Sequence, residues 1–382
     1  MVRMNSTNTI FKLLSYSTIY ALIVMCSFIL FAGFPHIIMV LKYFLFPGII
    51  FIILGALFFS WLERKIYARM QNRIGPPFMQ PIYDILKLLV KEDITPDGVE
   101  TLEFNIIPPI QLALALLLAF FTPVYMTEGL ISFEGDIFFL LFLLAVLAGS
   151  IFLVGWSSNN PYGLIGGSRA AIAELSLEIP LTLAFIGPAI LAGSLQLSNI
   201  IQSGFNLIDI PLNVFFRPEG YNLLHLLYII PLSIQFYIAV LSANAVLEKV
   251  PFDPAHAETE IVGGWNVELT GKKYMFSHLA NLVLEFAIAG IIAAIFLGGP
   301  GFWPLNSLAE GLFYIGQWDV FYYIINILAF ILKTTVVIFL ITVSRTVLSR
   351  LRIDQLVQYF WRYYLPIILL ALLMIIYLIG VL

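Results

Sequence analysis

Residues 170–193 read Ala-Ala-Ile-Ala-Glu-Leu-Ser-Leu-Glu-Ile-Pro-Leu-Thr-Leu-Ala-Phe-Ile-Gly-Pro-Ala-Ile-Leu-Ala-Gly. Apart from Glu174 and Glu178 this is an apolar run long enough to cross about 30 Å of hydrocarbon at about 1.5 Å per residue. A charge at the centre of a bilayer costs roughly 2.5–3.5 kcal/mol even on the lenient insertion scale. Glu285 and Lys333 lie just as deep in apolar segments of their own. Four such groups need either partners or a use, and the usual uses are ion pathways and proton relays. The chain therefore reads first as a membrane protein that handles ions or protons.

Composition agrees. Of 382 residues, 61% are hydrophobic and 11% charged, against about 25% charged in a soluble domain, and mean hydropathy is +0.98. One cysteine, Cys26, cannot hold an iron–sulfur cluster, which needs four thiolates. The four histidines (His36, His225, His256 and His278) show no metal-ligand spacing. No glycine-rich phosphate loop follows a strand. No cofactor is expected in this chain, and any redox centre is expected elsewhere.

Nine stretches are long enough to span: roughly 13–35, 43–62, 104–126, 136–155, 164–193, 223–247, 275–298, 320–344 and 361–382. The expectation is an all-α, polytopic membrane protein forming a single membrane domain over 1–382. The first helix is read as retained rather than as a cleaved signal, because no A-x-A site follows it. With the N-terminus in the cytoplasm, sixteen of the nineteen Lys and Arg residues fall on the cytoplasmic side. Lys42 and Arg217 fall outside and Lys333 lies within a span, a strong positive-inside signal. There is no inverted repeat of the transporter kind. Pro180, Gly187, Pro188 and Gly290 are expected to bend their helices.

Two long cytoplasmic loops follow from this topology. In the first, 63–103, Gly75-Pro76-Pro77 forces an extended turn. After it, Ile82, Ile85, Leu86, Leu89 and Val90 follow helical spacing, with Asp84, Lys87 and Lys91 off the stripe. This predicts a short helix on the membrane surface or under a partner, and a plain basic anchor to anionic lipid is the alternative. In the second loop, 248–274, Asp253, Glu258, Glu260 and Glu268 crowd a stretch that topology would prefer basic. They read either as a proton-collecting or docking surface or as a solvated acidic face. Glu174 and Glu178, four apart, share a helix face, and two close carboxylates in low dielectric cannot both ionise cheaply. Pairing Glu285 with Lys333 is the simplest way to tolerate both.

These residues resemble those of a known family: the H subunit of NADH:quinone oxidoreductase (respiratory complex I), also called NADH dehydrogenase subunit 1, and the equivalent anchor subunit of membrane-bound hydrogenases. Four stretches carry the likeness. They are Glu63-Arg-Lys through Lys91-Glu92; Gly155-Trp-Ser-Ser-Asn with Arg169 and Ser176-Leu-Glu178; Pro251-Phe-Asp253 through Glu260 and Thr270-Gly271; and Lys333 with Arg345 and Arg352-Ile-Asp-Gln355. The resemblance implies eight family helices within 43–382, with 1–42 as an extra N-terminal helix, in the plasma membrane. It implies a subunit joining a hydrophilic redox arm to an ion-pumping membrane arm. By motif match Glu63, Arg64, Arg69, Arg73, Asp84, Lys87 and Glu92 belong to the redox-arm interface. Asp253, Glu258 and Glu260 belong to the acidic loop, where Glu268 also lies, and Glu178 and Lys333 to the ion path, to which Glu174 and Glu285 are added by their depth in apolar segments. Implied partners are iron–sulfur and hydrogenase-like large subunits, antiporter-like and small membrane subunits, and the bilayer, with no nucleic acid. Iron–sulfur clusters are expected in the partners.

The chain departs from the family in places. Gly75-Pro76-Pro77 runs almost directly to Gln80-Pro81 where complex I subunits have a longer insert. That shortening resembles the ferredoxin-linked hydrogenase and sulfane sulfur reductase branch, and predicts a cavity near Gln80 and Glu258 too narrow for quinone. A Glu of the family falls on Asn281, leaving Glu285 to take part of its role. Pro251-Phe-Asp253 and Gly155-Trp156 look more like complex I. The leading reading is the anchor of a hydrogenase- or sulfane sulfur reductase-type complex. The alternatives are a quinone-site subunit of complex I or an F420H2 dehydrogenase, and a stand-alone secondary transporter.

Overall fold

The structure is a computed structural model that describes residues 42–216, 223–301 and 319–381. Among these it is helical throughout, with no strand. The expected first helix at 13–35 lies outside the described residues. The elements are α1 (Ile49–Met70), α2 (Gln80–Val90), α3 (Thr101–Ala119), α4 (Asp136–Ser157), α5 (Pro161–Ala192), α6 (Leu197–Gln202), α7 (Asp209–Phe216), α8 (Ile229–Val246), α9 (Glu258–Ile261), α10 (Gly271–Leu297), α11 (Asp319–Val347), α12 (Ile353–Gln358) and α13 (Leu365–Val381). Residues from 51 onward form one compact unit.

Eight helical segments among the described residues are long and apolar enough to cross a membrane. Each coincides with one of the eight expected family spans. The chain is a multi-pass membrane protein. The helix α10 is buried almost all round, as an apolar helix at the centre of a bundle must be. It packs against α3, α11 and α2, while α5 packs against α4, α8 and α13. Helix ends follow local chemistry. Asn160 caps α5 by accepting from Tyr162 N at 2.9 Å, with Pro161 in the first turn, and Gly193 at φ 65° ends the helix. Both α5 and α10 are continuous helices through Pro180, Gly187, Pro188 and Gly290.

The first loop forms the expected short helix, α2, but its apolar stripe divides. Ile82 and Ile85, with Leu88, pack on the core, whereas Tyr83, Leu86 and Val90 are exposed. The helix is thus apolar on more than one face, and the outer face is left for lipid or protein.

The two long loops are stitched together. Ile94 N donates to Thr270 Oγ1 at 2.9 Å, and Thr270 Oγ1 donates back to Ile94 O at 3.2 Å. Lys273 Nζ lies 3.3 Å from Asp93 Oδ1 and 4.7 Å from the Phe104 ring centre. Segments 176 residues apart therefore form one layer at the loop end of the bundle.

Candidate functional site: a buried charge node under the loop layer

Consecutive residues at the end of α8 organise the site. Glu248 has φ 48°, a left-handed backbone that a non-glycine residue adopts only under surrounding constraint. Lys249 follows it into a buried pocket. Its Nζ lies 2.7 Å from Glu63 Oε1 on α1 and 2.7 Å from Glu285 Oε1 on α10, and the contact to Glu63 has hydrogen-bond geometry. Arg345, near the end of α11, donates to Glu63 Oε1 at 3.0 Å. Two carboxylates and two cations make a neutral set, which is how charges survive in low dielectric.

Glu285 is therefore paired, but with Lys249 rather than with Lys333. The reason is geometric. Lys333 Nζ donates to Gly299 O at 3.0 Å and to Gly301 O, carbonyls just beyond the C-terminus of α10, and its charge also reaches Asp209. Backbone carbonyl oxygens carry partial negative charge, so the turn that follows α10 is a natural seat for an ammonium group.

Glu174 and Glu178 sit together as their spacing requires. They line a narrow crevice of about 20 Å³, room for about one water, with Ala148 of α4 and Val246 of α8. Glu174 is buried and Glu178 half-buried. The charge of Glu248 reaches Glu174. The four intramembrane ionisable residues are thus divided between the node, the α5 crevice and the end of α10.

Outside the spans, Glu248 anchors the acidic loop. It accepts from His256 Nε2 at 2.8 Å and from Trp265 Nε1 at 3.1 Å. Burial alone would lower the His256 pKa, but the carboxylates of Glu248 and Asp253 outweigh it and push it up to about 9. Asp253 accepts from Arg350 at 2.7 Å, and its own pKa is raised, chiefly by burial. Glu260 pairs with Arg169 at 2.6 Å, and Glu268 accepts from Asn160 at 2.6 Å. The side chain of Glu258 lies outside the described residues. Asp253 and Glu260 are thus paired with arginines from outside the loop.

In the first loop, Arg64 and Asp84 pair at 2.6 Å, and Gln80 donates to the same carboxylate at 2.9 Å. Burial works to raise the Asp84 pKa, but these two donors together hold it below the usual range. Arg69, Arg73, Lys87 and Glu92 are exposed. Gln80 is turned to Asp84. Beside the Gly75-Pro76 turn there is instead an open cavity of about 430 Å³, lined by Arg64, Tyr67, Arg73 and Arg345 among others. The Tyr67 ring lies 4.8 Å from the Arg345 guanidinium and 5.5 Å from that of Arg73. The short turn does not close the space next to it.

Lys249, Glu248, His256 and Trp265 were not singled out by sequence reading. A lysine ending an apolar span just before Val250-Pro251-Phe252-Asp253 was the available signal for the node.

Comparison with known proteins agrees with this architecture. The family described as NADH dehydrogenase matches residues 41–376. The chain is 33% identical over 325 residues to the NADH-quinone oxidoreductase H subunit of Dehalococcoides mccartyi (strain CBDB1), covering 83% of this chain and 80% of that protein. It is 30% identical over 324 residues to the NADH-quinone oxidoreductase H subunit of Brevibacillus brevis, covering 83% and 86%. With its eight family spans in place, the chain belongs to the NADH dehydrogenase subunit 1 family, as a membrane component of the kind found in complex I.

Proposed function

We propose that this chain anchors the redox arm of its complex on the loop layer and passes the effect of electron transfer into the membrane through the Glu63–Lys249–Glu285–Arg345 node. The node is the observation that carries the reading. Arg345 borders the open cavity and also holds Glu63, and Lys249 shares itself between Glu63 and the buried Glu285. A change of charge in the cavity alters the hold of Arg345 on Glu63. That in turn shifts Lys249 between its two carboxylates, and so alters the charge at Glu285 inside the bundle. No redox group of the chain itself is needed. The loops face the cytoplasm, where sixteen basic residues gather. Cysteines placed at Thr95 and Lys272 should be labelled from that side alone in stripped vesicles.

The electron acceptor in this reading is a quinone. The relatives carry quinone in their names, and a cavity of about 430 Å³ is in the range of small-molecule sites. The short Gly75-to-Gln80 turn favours a second reading, a ferredoxin-linked complex of hydrogenase or sulfane sulfur reductase type. The complex isolated in mild detergent decides between them. It is expected to contain iron–sulfur subunits and to photolabel with an azidoquinone near Tyr67. Nickel-binding cysteines in the large subunit, with no quinone labelling, would establish the second reading. A chain that runs alone would be a transporter.

A further inference from the structure

Two fully buried side chains on α8, Gln235 and Ser242, have no hydrogen-bond partner for Gln235 Oε1, Gln235 Nε2 or Ser242 Oγ among the described residues. An unpaired buried amide or hydroxyl costs about 1–3 kcal/mol, so such groups in native proteins generally hold water. Seven residues apart, the two lie on one face of the helix, about 20° from alignment.

That face meets α5. A Cβ on Gly187 would sit 2.0 Å from Gln235 Oε1, so Gln235 fills the notch this glycine leaves. Nearer the loops, Val246 of α8 shares the crevice of Glu174 and Glu178. The helices therefore run antiparallel, and seven residues along α8 from Gln235 correspond to seven back along α5 from Gly187. Gln235 stands abreast of Gly187-Pro188, and Ser242 abreast of Pro180.

Proline has no N–H, so Pro188 leaves the Ala184 carbonyl without its helical donor, and Pro180 does the same to Ser176. Each unpaired side chain of α8 thus faces a stretch of α5 with a freed carbonyl. Two to four polar partners in one place are what a buried water requires.

We propose that the seam between α5 and α8 is a hydrated line. One water position lies between Ser242 and the freed carbonyl of Ser176, and a second between Gln235 and that of Ala184. The line starts beside the end of α8 whose Val246 borders the Glu174–Glu178 crevice, and runs away from the loop layer. It extends the polar interior beyond the Glu174–Glu178 crevice by uncharged groups alone, and gives a proton arriving at Glu178 a wet route onward.

The test is a density map of the intact complex at a resolution that shows ordered water, for the parent and for Gln235→Leu and Ser242→Ala. Two peaks are expected in the parent within hydrogen-bond distance of the two side chains. Each variant should lose its own peak and keep the other. No peak at either position, or peaks that survive their substitutions, would overturn the proposal. If a variant fails to assemble, the parent map decides. The onward route rests on the charge-path reading, which is tested separately by Glu178→Gln, so the hydration and the path can fail independently.

Discussion

Glu248 and Lys249 are neighbours in sequence and serve opposite sides of the bundle. Glu248 takes His256 and Trp265 of the acidic loop and faces Glu174 on α5, while Lys249 takes Glu63 on α1 and Glu285 on α10. The left-handed backbone at Glu248 makes this fork possible. One short segment therefore ties the loop layer to both sets of buried carboxylates.

Lys249→Met should strand the buried Glu285 and leave Glu63 to Arg345 alone. Removing one partner of a buried pair costs about 3–5 kcal/mol, so the variant complex should lose most of its thermal stability in mild detergent. Lys249→Arg should retain it, and Glu285→Gln added to Lys249→Met should recover part. Normal melting of Lys249→Met would show that the node is not holding the spans together.

The His256–Glu248 pair gives the acidic loop an alkaline limit. In the unfolded chain His256 titrates near 6.5, and in the fold near 9. The protonated form is favoured by folding, so its contribution is full below about pH 6.5, declines as pH rises, and is gone above about 9. Hydrogen exchange in residues 248–265 should accelerate over that window, and His256→Gln should flatten the dependence. An unchanged profile in the variant would assign the pH response to another group.

Glu178→Gln keeps shape and hydrogen bonding in the crevice. It should assemble normally and transfer electrons to a soluble acceptor at the parent rate, with ion translocation per electron reduced at least twofold in proteoliposomes. A normal ratio would make Glu178 structural.

Lys333→Met should loosen the end of α10 without disturbing the node. Two carbonyls lose a charged donor, and a buried acceptor left unpaired costs about 1–3 kcal/mol. Hydrogen exchange should rise at 296–301 and stay at the parent level around Glu285. Equal acceleration at both places would mean that the two sites are energetically joined.

The spans were legible because burial in lipid imposes long apolar runs, and the family because its motifs are charged residues at fixed places between those runs. The pairings were not. Lys249 and Glu63 are 186 residues apart, and nothing local marks them as partners. Pairing Glu285 with Lys333 satisfied charge balance, but an ammonium group can also be held by neutral backbone carbonyls, as Lys333 is by Gly299 and Gly301. Gln235 and Ser242 carry no formal charge, so nothing in their residue type sets them apart within an apolar span. Their signal was positional: polar residues seven apart on one span, matched by prolines eight apart on another.

The stitch between the loops has a mechanical consequence. Gly271, the first residue of α10, adopts φ 54°, and a Cβ there would come within 2.8 Å of Glu92 O, so the two strands of chain touch with no side chain between them. Load placed on the first loop would therefore reach the root of α10 through backbone contact rather than through side chains. Glu285 stands fourteen residues along that helix, about 21 Å from the root. Because α10 is packed on nearly every side, such a load would act along the helix toward Glu285 rather than swing it sideways.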